Sequence, residues 1–195
     1  LATLSFDKRR SEFFTNELIT LLQLIEKRKI NYDTLYGSWA GAFGYFQFMP
    51  STITNYAIDH NKDNYIDLKN NEDAYPSAAN YLKKIGWKKN KPCFYKIKLK
   101  ENIPIKYLNS SAKKIKNKKK YKFFKQYFQE EPKYNINENE LIAIITPDKD
   151  IISNSDKYYP AYIVFNNYEQ ILKWNRSLRF ALAVCTLKDK IKNEI

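Results

Sequence analysis

Three of the chain's four glycines, Gly37, Gly41 and Gly44, fall within eight residues of one another in the 195-residue sequence. No other feature limits the fold as much. The surrounding run, residues 37–57, reads GSWAGAFGYFQFMPSTITNYA. Glycine lacks a Cβ, so a chain that gathers its few glycines in one place is turning sharply or packing its backbone closely there. Pro50, Ser51 and Thr52 then carry the signature of a helix start. Trp39, Phe43, Tyr45, Phe46 and Phe48 are too apolar to lie open in water; the run is either core or the lining of a concave site. Gln47 is the lone amide among these rings and requires a hydrogen-bond partner, a ligand being one candidate.

Outward from that run, hydrophobic spacing sets the elements. Residues 7–28 predict an amphipathic helix with Asp7 as N-cap and Phe14, Leu18, Leu21, Leu22 and Ile25 inward; Arg9, Arg10, Glu12, Glu17 and Glu26 form its polar face. Residues 31–50 read as loop with one helical turn. A second helix runs from about Ser51 to before Asp59, and a third from about Ala74 to Ile85, stopped by Gly86. After Trp87 the pattern alternates: 93–99, 141–146 and 158–165 read as strands, with prolines between them. A last helix spans about 177–192, burying Leu178, Ala181, Leu182, Cys185 and the aliphatics beyond. The fold class is α+β, with a first segment 1–92, a β-rich, lysine-rich insertion 93–165, and a helical return over 166–195.

Hydrophobic content of 44% with 16% aromatics describes a folded globule, and no stretch is long and apolar enough to span a bilayer. Leu1 to Leu4 lack the charged start of a secretory signal, and there is no initiator Met, so the chain reads as a fragment or processed product. The net charge of +13 is compatible with a polyanionic partner or with general over-use of Lys beside Asn, Ile and Tyr. Its densest run, Lys113 to Lys125, reads as a solvated loop or surface helix, and no nucleic-acid-binding module surrounds it. Cys93 and Cys185 are expected as two reduced, buried thiols, a disulfide in an oxidising compartment being the alternative. His60 is the sole histidine, which removes multi-histidine metal sites and nearly all His-dependent nucleophilic chemistry.

Residues 59–73, DHNKDNYIDLKNNED, alternate oxygen side chains at Asp59, Asn61 and Asp63, with Tyr65 offering its carbonyl, as an EF-hand loop does. Asn64 stands at the usual glycine and tolerates a left-handed backbone. Asn70 occupies the position of the closing acid, and Asp73 is placed to close the ring instead. The other reading is an Asx-rich turn without metal.

GSWAGAFGYFQFMPS, NYAIDHNKDNYIDL and SAANYLKKIGW, in that order, closely resemble the lytic murein transglycosylase B family, as do LATLSF, RRSEFF and WNRSLRFALAV. The resemblance covers most of 1–92 and 158–190. It implies a mostly helical, lysozyme-like core that cleaves the β-1,4 bond between N-acetylmuramic acid and N-acetylglucosamine, leaving a 1,6-anhydro product. The family's catalytic glutamate precedes the segment matching Leu1–Phe6, so no catalytic residue is expected in this chain; Glu12 and Glu17 read as surface salt-bridging acids. Ser38, Gln47, Tyr81 and Asn175 fall on groove positions. Arg9 and Arg10 match a basic pair facing peptide stems, and Phe180 stands where a tyrosine is common. Tyr81 as plain core and Asn175 as a helix N-cap are the structural alternatives.

By the same resemblance, Asp59, Asn61, Asp63, Tyr65 and Asp73 fall on a calcium site; calcium would be structural, and no cofactor is required. The expected partner is the peptidoglycan glycan strand, with no nucleic acid, acting as a monomer. The expected place is the periplasm, with outer-membrane association through an N-terminal anchor. A non-catalytic peptidoglycan-binding remnant is the alternative function.

Overall fold

The computed structural model describes residues 1–149 and 158–194, apart from the side chains of Thr34 and Asn193. Residues 150–157, inside the expected β-rich segment, and Ile195 lie outside the described residues. The chain divides into two compact units, Leu1–Ile85 and Gly86–Ile195. Helices and strands both contribute, so the α+β class read from the sequence is the one observed.

In the first unit, helices α1 (Ala2–Phe6) and α2 (Ser11–Glu26) replace the single helix expected over 7–28. Asp7 ends α1 rather than capping a helix, and its carboxylate accepts from the Arg9 N–H. Arg10, at φ 63°, turns the chain into α2. The buried face of α2 is Phe14, Glu17, Leu21 and Leu24, rotated from the expected one: Leu22 points outward and Glu17 inward. A 3₁₀ turn (Tyr32–Thr34) precedes the glycine run, then α3 (Pro50–Tyr56) follows as predicted, and α4 (Asn71–Ile85) starts at Asn71 rather than Ala74, so Asp73 lies in its first turn.

The α4 helix does more than pack. Asp73, Ser77 and Asn80 lie at i, i+4 and i+7 and each bonds the backbone of the preceding segment. Asp73 Oδ1 accepts from His60 N, Ser77 Oγ accepts from Ile58 N, and Asn80 Nδ2 donates to the Tyr56 carbonyl. A polar stripe on a buried helix face thus satisfies a backbone that no sheet or helix would satisfy.

The second unit carries a mixed sheet in the order β1 (Phe94–Ile97), β5 (Ala161–Val164), β4 (Leu141–Ile145), β2 (Leu108–Asn109), with β3 (Lys119–Lys120) also pairing β4. Among the described strands only β2 and β4 run parallel. Central β4 reads LIAII because all but its first residue is buried. The lysine run is not wholly solvated. It contains β3 and the short α5 (Tyr121–Phe124), whose Tyr121 and Phe124 enter the core while its lysines stay outside.

Helices α6 (Asn166–Trp174) and α7 (Leu178–Glu194) complete the unit. The Tyr168 hydroxyl joins them by donating to the Leu178 carbonyl at 2.7 Å. The stripe on α7 is Leu178, Ala181 and Cys185; Leu187 and Ile191, expected to continue it, are exposed. Cys93 and Cys185 are bonded to each other, not reduced, and tie α7 to the start of β1. Sequence spacing cannot report such pairing, because the fold alone brings residues 92 apart into bonding distance.

Candidate functional site

The glycine run folds into a compact double loop. Gly37 bridges Phe43, and Phe43 in turn bridges Phe48, exchanging N–H···O bonds of 2.8 and 2.9 Å. Gly44 takes φ +70°, and a Cβ there would strike the Leu68 backbone, so the close approach requires glycine. The run is neither wholly core nor wholly open. Phe43 and Phe48 are buried and Phe46 packs edge-on against Tyr75, yet Trp39 is 80% exposed and Tyr45 57%.

Ser38 closes the first turn. Its N–H donates to the Ala42 carbonyl and its hydroxyl accepts from the Ala42 N–H. Gln47 sits at φ 53°, a left-handed conformation that strains a residue with a Cβ. Its side-chain amide donates to the Gly44 carbonyl at 2.9 Å, and the residue is exposed. Tyr81, on α4, is buried with its ring against Phe48 and Tyr56 at 5.6 and 4.8 Å. Burial first, then the neighbouring Tyr56, pushes its phenol above the ordinary value. Ser38, Gln47 and Tyr81 therefore share one framework: two occupy the double loop and the third supports it from beneath.

What pins the loop is a residue read from the sequence as a surface acid. Glu17 is 4% exposed, and its carboxylate accepts from both the Ser51 N–H (2.9 Å) and the Ser51 hydroxyl (2.6 Å) in the first turn of α3. A carboxylate at a helix start satisfies an orphan N–H and meets the positive end of the helix. Its spacing was the available signal: Glu17 lies three after Phe14 and four before Leu21, on the buried stripe itself. Glu12, by contrast, is exposed. Arg9 and Arg10 are also exposed, at the entry to α2, where the Arg10 guanidinium lies 4.4 Å over the Phe13 ring.

In the second unit, Asn175 is not a helix N-cap. It follows α6 as its C-cap, with its N–H on the Ile171 carbonyl, and Ser177 caps α7 by accepting from the Phe180 N–H. Phe180 is 39% exposed on the first turn of α7.

The 59–73 loop winds around its own amides. Asp59 accepts from Lys62 N and Asn64 N, Asp63 accepts from Tyr65 N, and Asn64 takes φ 74°. That first half has the backbone turn of a cation loop. The second half does not offer an open ligand: Asp73 is fully buried, with one oxygen on His60 N and the other on Asp67 N. Among the described residues no group of three or more His, Cys, Asp or Glu side chains is placed to hold a metal ion. The loop fits a cation only in part.

Residues 1–189 match the Transglycosylase SLT domain family, and the chain belongs to that family. Over 90 residues, 46% of this chain, it is 48% identical to the membrane-bound lytic murein transglycosylase B of Escherichia coli, of which those residues are 25%. Among solved structures, SltB3 from Pseudomonas aeruginosa in complex with NAG-NAM-pentapeptide superposes with a TM-score of 0.81 at 29% identity, covering 98% of this chain and 49% of that one. A lytic transglycosylase of Escherichia coli in complex with calcium gives a TM-score of 0.78 at 28% identity, over 99% of this chain and 58% of the other. The chain thus spans a quarter of the curated relative and about half of SltB3.

Proposed function

We propose that this chain binds the glycan strands of peptidoglycan as part of a lytic transglycosylase, which cleaves the bond between N-acetylmuramic acid and N-acetylglucosamine with formation of a 1,6-anhydro product. One observation carries the reading: an exposed glutamine held in a strained left-handed turn on a loop that a buried carboxylate anchors. Strain of this kind persists where the surroundings over-determine it, and it collects at binding sites. Gln47 and Ser38 are the proposed polar contacts to sugar hydroxyls and acetamides, with Tyr81 beneath them, and Asn175 and Phe180 are proposed groove positions. Arg9 and Arg10 are proposed to meet peptide carboxylates.

The reaction needs one acid with a raised pKa to protonate the leaving oxygen, and then a base toward the C6 hydroxyl. We assign that acid to no residue among the 195. Glu17 is committed to Ser51, and Glu12 is a solvated side chain on α2. The same observations favour a second reading, a peptidoglycan-binding remnant without turnover, and Phe180 supports it by lacking a hydroxyl.

The Cys93–Cys185 disulfide supports an oxidising compartment, and with the family it leads us to propose the periplasm. Among the described residues no helix is long and apolar enough to cross a membrane. Membrane association is proposed on the curated relative's membrane-bound name, and the outer membrane on the family resemblance. Calcium is proposed only as a weak structural occupant of the 59–73 loop, since it must compete with the two amides on Asp73. Calorimetry with calcium chloride is expected to give a dissociation constant on the order of a millimolar; no heat at all would remove calcium from the account.

The test of the glycan site is Gln47→Gly. Glycine accepts the left-handed turn, so stability should stay within about 1 kcal/mol of the parent. Binding to a NAG-NAM tetrasaccharide, read by calorimetry, should weaken up to about tenfold with the lost amide contact. Unchanged affinity would remove Gln47 from the site.

A further inference from the structure

The second unit carries a groove that none of the preceding residues uses. It encloses about 780 Å³ between β1, the segment before it, and the last turns of α7. Lys89 and Lys91 line one side, Lys188, Lys190 and Lys192 the other, and Lys96 stands at the end. Among the described residues Asp189 is the single acid in the lining, and it is paired with Lys188 at 2.7 Å. The positive charge is therefore uncompensated within the groove.

The backbone beneath these largely exposed lysines is held in place. The 88–91 turn is pinned by Asn167, whose side chain accepts from Lys88 N and donates to the carbonyls of Lys88 and Lys91. The opposite side is tied to the start of β1 by the Cys93–Cys185 disulfide. Lys96 is held by its 2.7 Å bond to the Tyr159 hydroxyl. Cations gathered around a concavity focus their field into it and raise the local concentration of an anionic ligand.

The kind of anion follows from what else lines the cavity. Tyr95 and Tyr134 stack face to face at 3.9 Å, and Phe94 is engaged edge-on with Tyr162 and Tyr168, so these rings are already occupied by one another. Nucleobases stack on successive ring faces along a strand, and beyond these pairs the described lining offers one ring, the half-buried Trp87. Among the described lining residues there is no arginine, whose planar fork grips phosphate in two points. Lysines are flexible point charges, suited to several carboxylates on a short flexible chain. We infer that this groove binds an acidic peptide, specifically the carboxylate-bearing stem peptides attached to the glycan strand. The inference rests on the glycan-binding reading above and adds a second contact to the same polymer, separate from Arg9 and Arg10.

The experiment compares the parent chain with the triple variant Lys91→Glu/Lys96→Glu/Lys190→Glu. Co-sedimentation is measured with intact murein sacculi and with sacculi stripped of stem peptides by an amidase, and circular dichroism checks that the variant is folded. The parent should bind intact sacculi about tenfold more tightly than stripped ones, three exposed pairs each contributing modestly. That preference should shrink as salt is raised. The variant should lose it while binding stripped sacculi as the parent does. A variant that keeps the preference overturns the inference, as does one that weakens equally on both forms. So does a single-stranded oligonucleotide that displaces the parent from sacculi at lower concentration than free stem peptide. A parent that binds stripped sacculi with no gain from peptides sinks the groove alone; a parent that binds neither sinks the glycan reading with it.

Discussion

Glu17 shows how a single side chain sets the geometry of the whole loop. It accepts two hydrogen bonds from Ser51 in a buried setting, so an amide in its place keeps one acceptor, weaker for being neutral, and sets an NH2 donor where the second acceptor stood. Glu17→Gln is expected to cost about 2 kcal/mol by chemical denaturation, and Glu17→Ala more. A loss below about 0.5 kcal/mol would mean that the loop does not depend on this anchor. Much of this neighbourhood was legible in the sequence. The glycine run announced a tight turn, Pro50 and Ser51 announced α3, and Gly86 announced the end of α4. The role of Glu17 was not, because a charged residue at a core phase of the helical period was assigned to the polar face by its charge. Only its partner, 34 residues away, reverses that assignment. Trp39 and Tyr45 failed in the other direction: aromatic content implied burial, and the turn that glycine permits points them outward.

At the scale of elements, α4 and the disulfide hold what the hydrophobic pattern alone would leave loose. Strands β1, β4 and β5 were readable from alternation and apolar runs. Helix α6 was not separately predicted; its buried face includes Asn167 and Gln170 along with Tyr168, Ile171 and Leu172, which blurs the period. The Cys93–Cys185 bond closes a separation of 92 residues, so it constrains the unfolded chain strongly. Reduction, or Cys93→Ser with Cys185→Ser, is expected to lower stability by about 4 kcal/mol and to affect urea unfolding of the parent but not of the double serine variant. Equal midpoints with and without reductant would show that the bond contributes nothing.

Over the whole molecule, tyrosines make the fold sensitive to alkali. Tyr81, Tyr95, Tyr121 and Tyr168 are each held above the ordinary phenol value of 10.0, burial being the largest cause in every case. Below that value folded and unfolded chains both keep these protons, and the contribution to stability is intact. Above it the unfolded chain loses protons first, so stability falls as the pH climbs. The urea midpoint should drop between about pH 9 and 11, and Tyr168→Phe should flatten that drop. A midpoint constant over this range would mean that the phenols titrate alike in both states.

The chain belongs to the Transglycosylase SLT domain family, and its proposed role is to hold murein without supplying the acid that cuts it. Incubation of the purified chain with murein sacculi, followed by mass spectrometry of the released material, tests this most directly. The chain is expected to sediment with the sacculi and to release no anhydro-muropeptides. Release of anhydro-muropeptides by this chain alone would contradict that role, since an acid within the 195 residues would then be performing the chemistry.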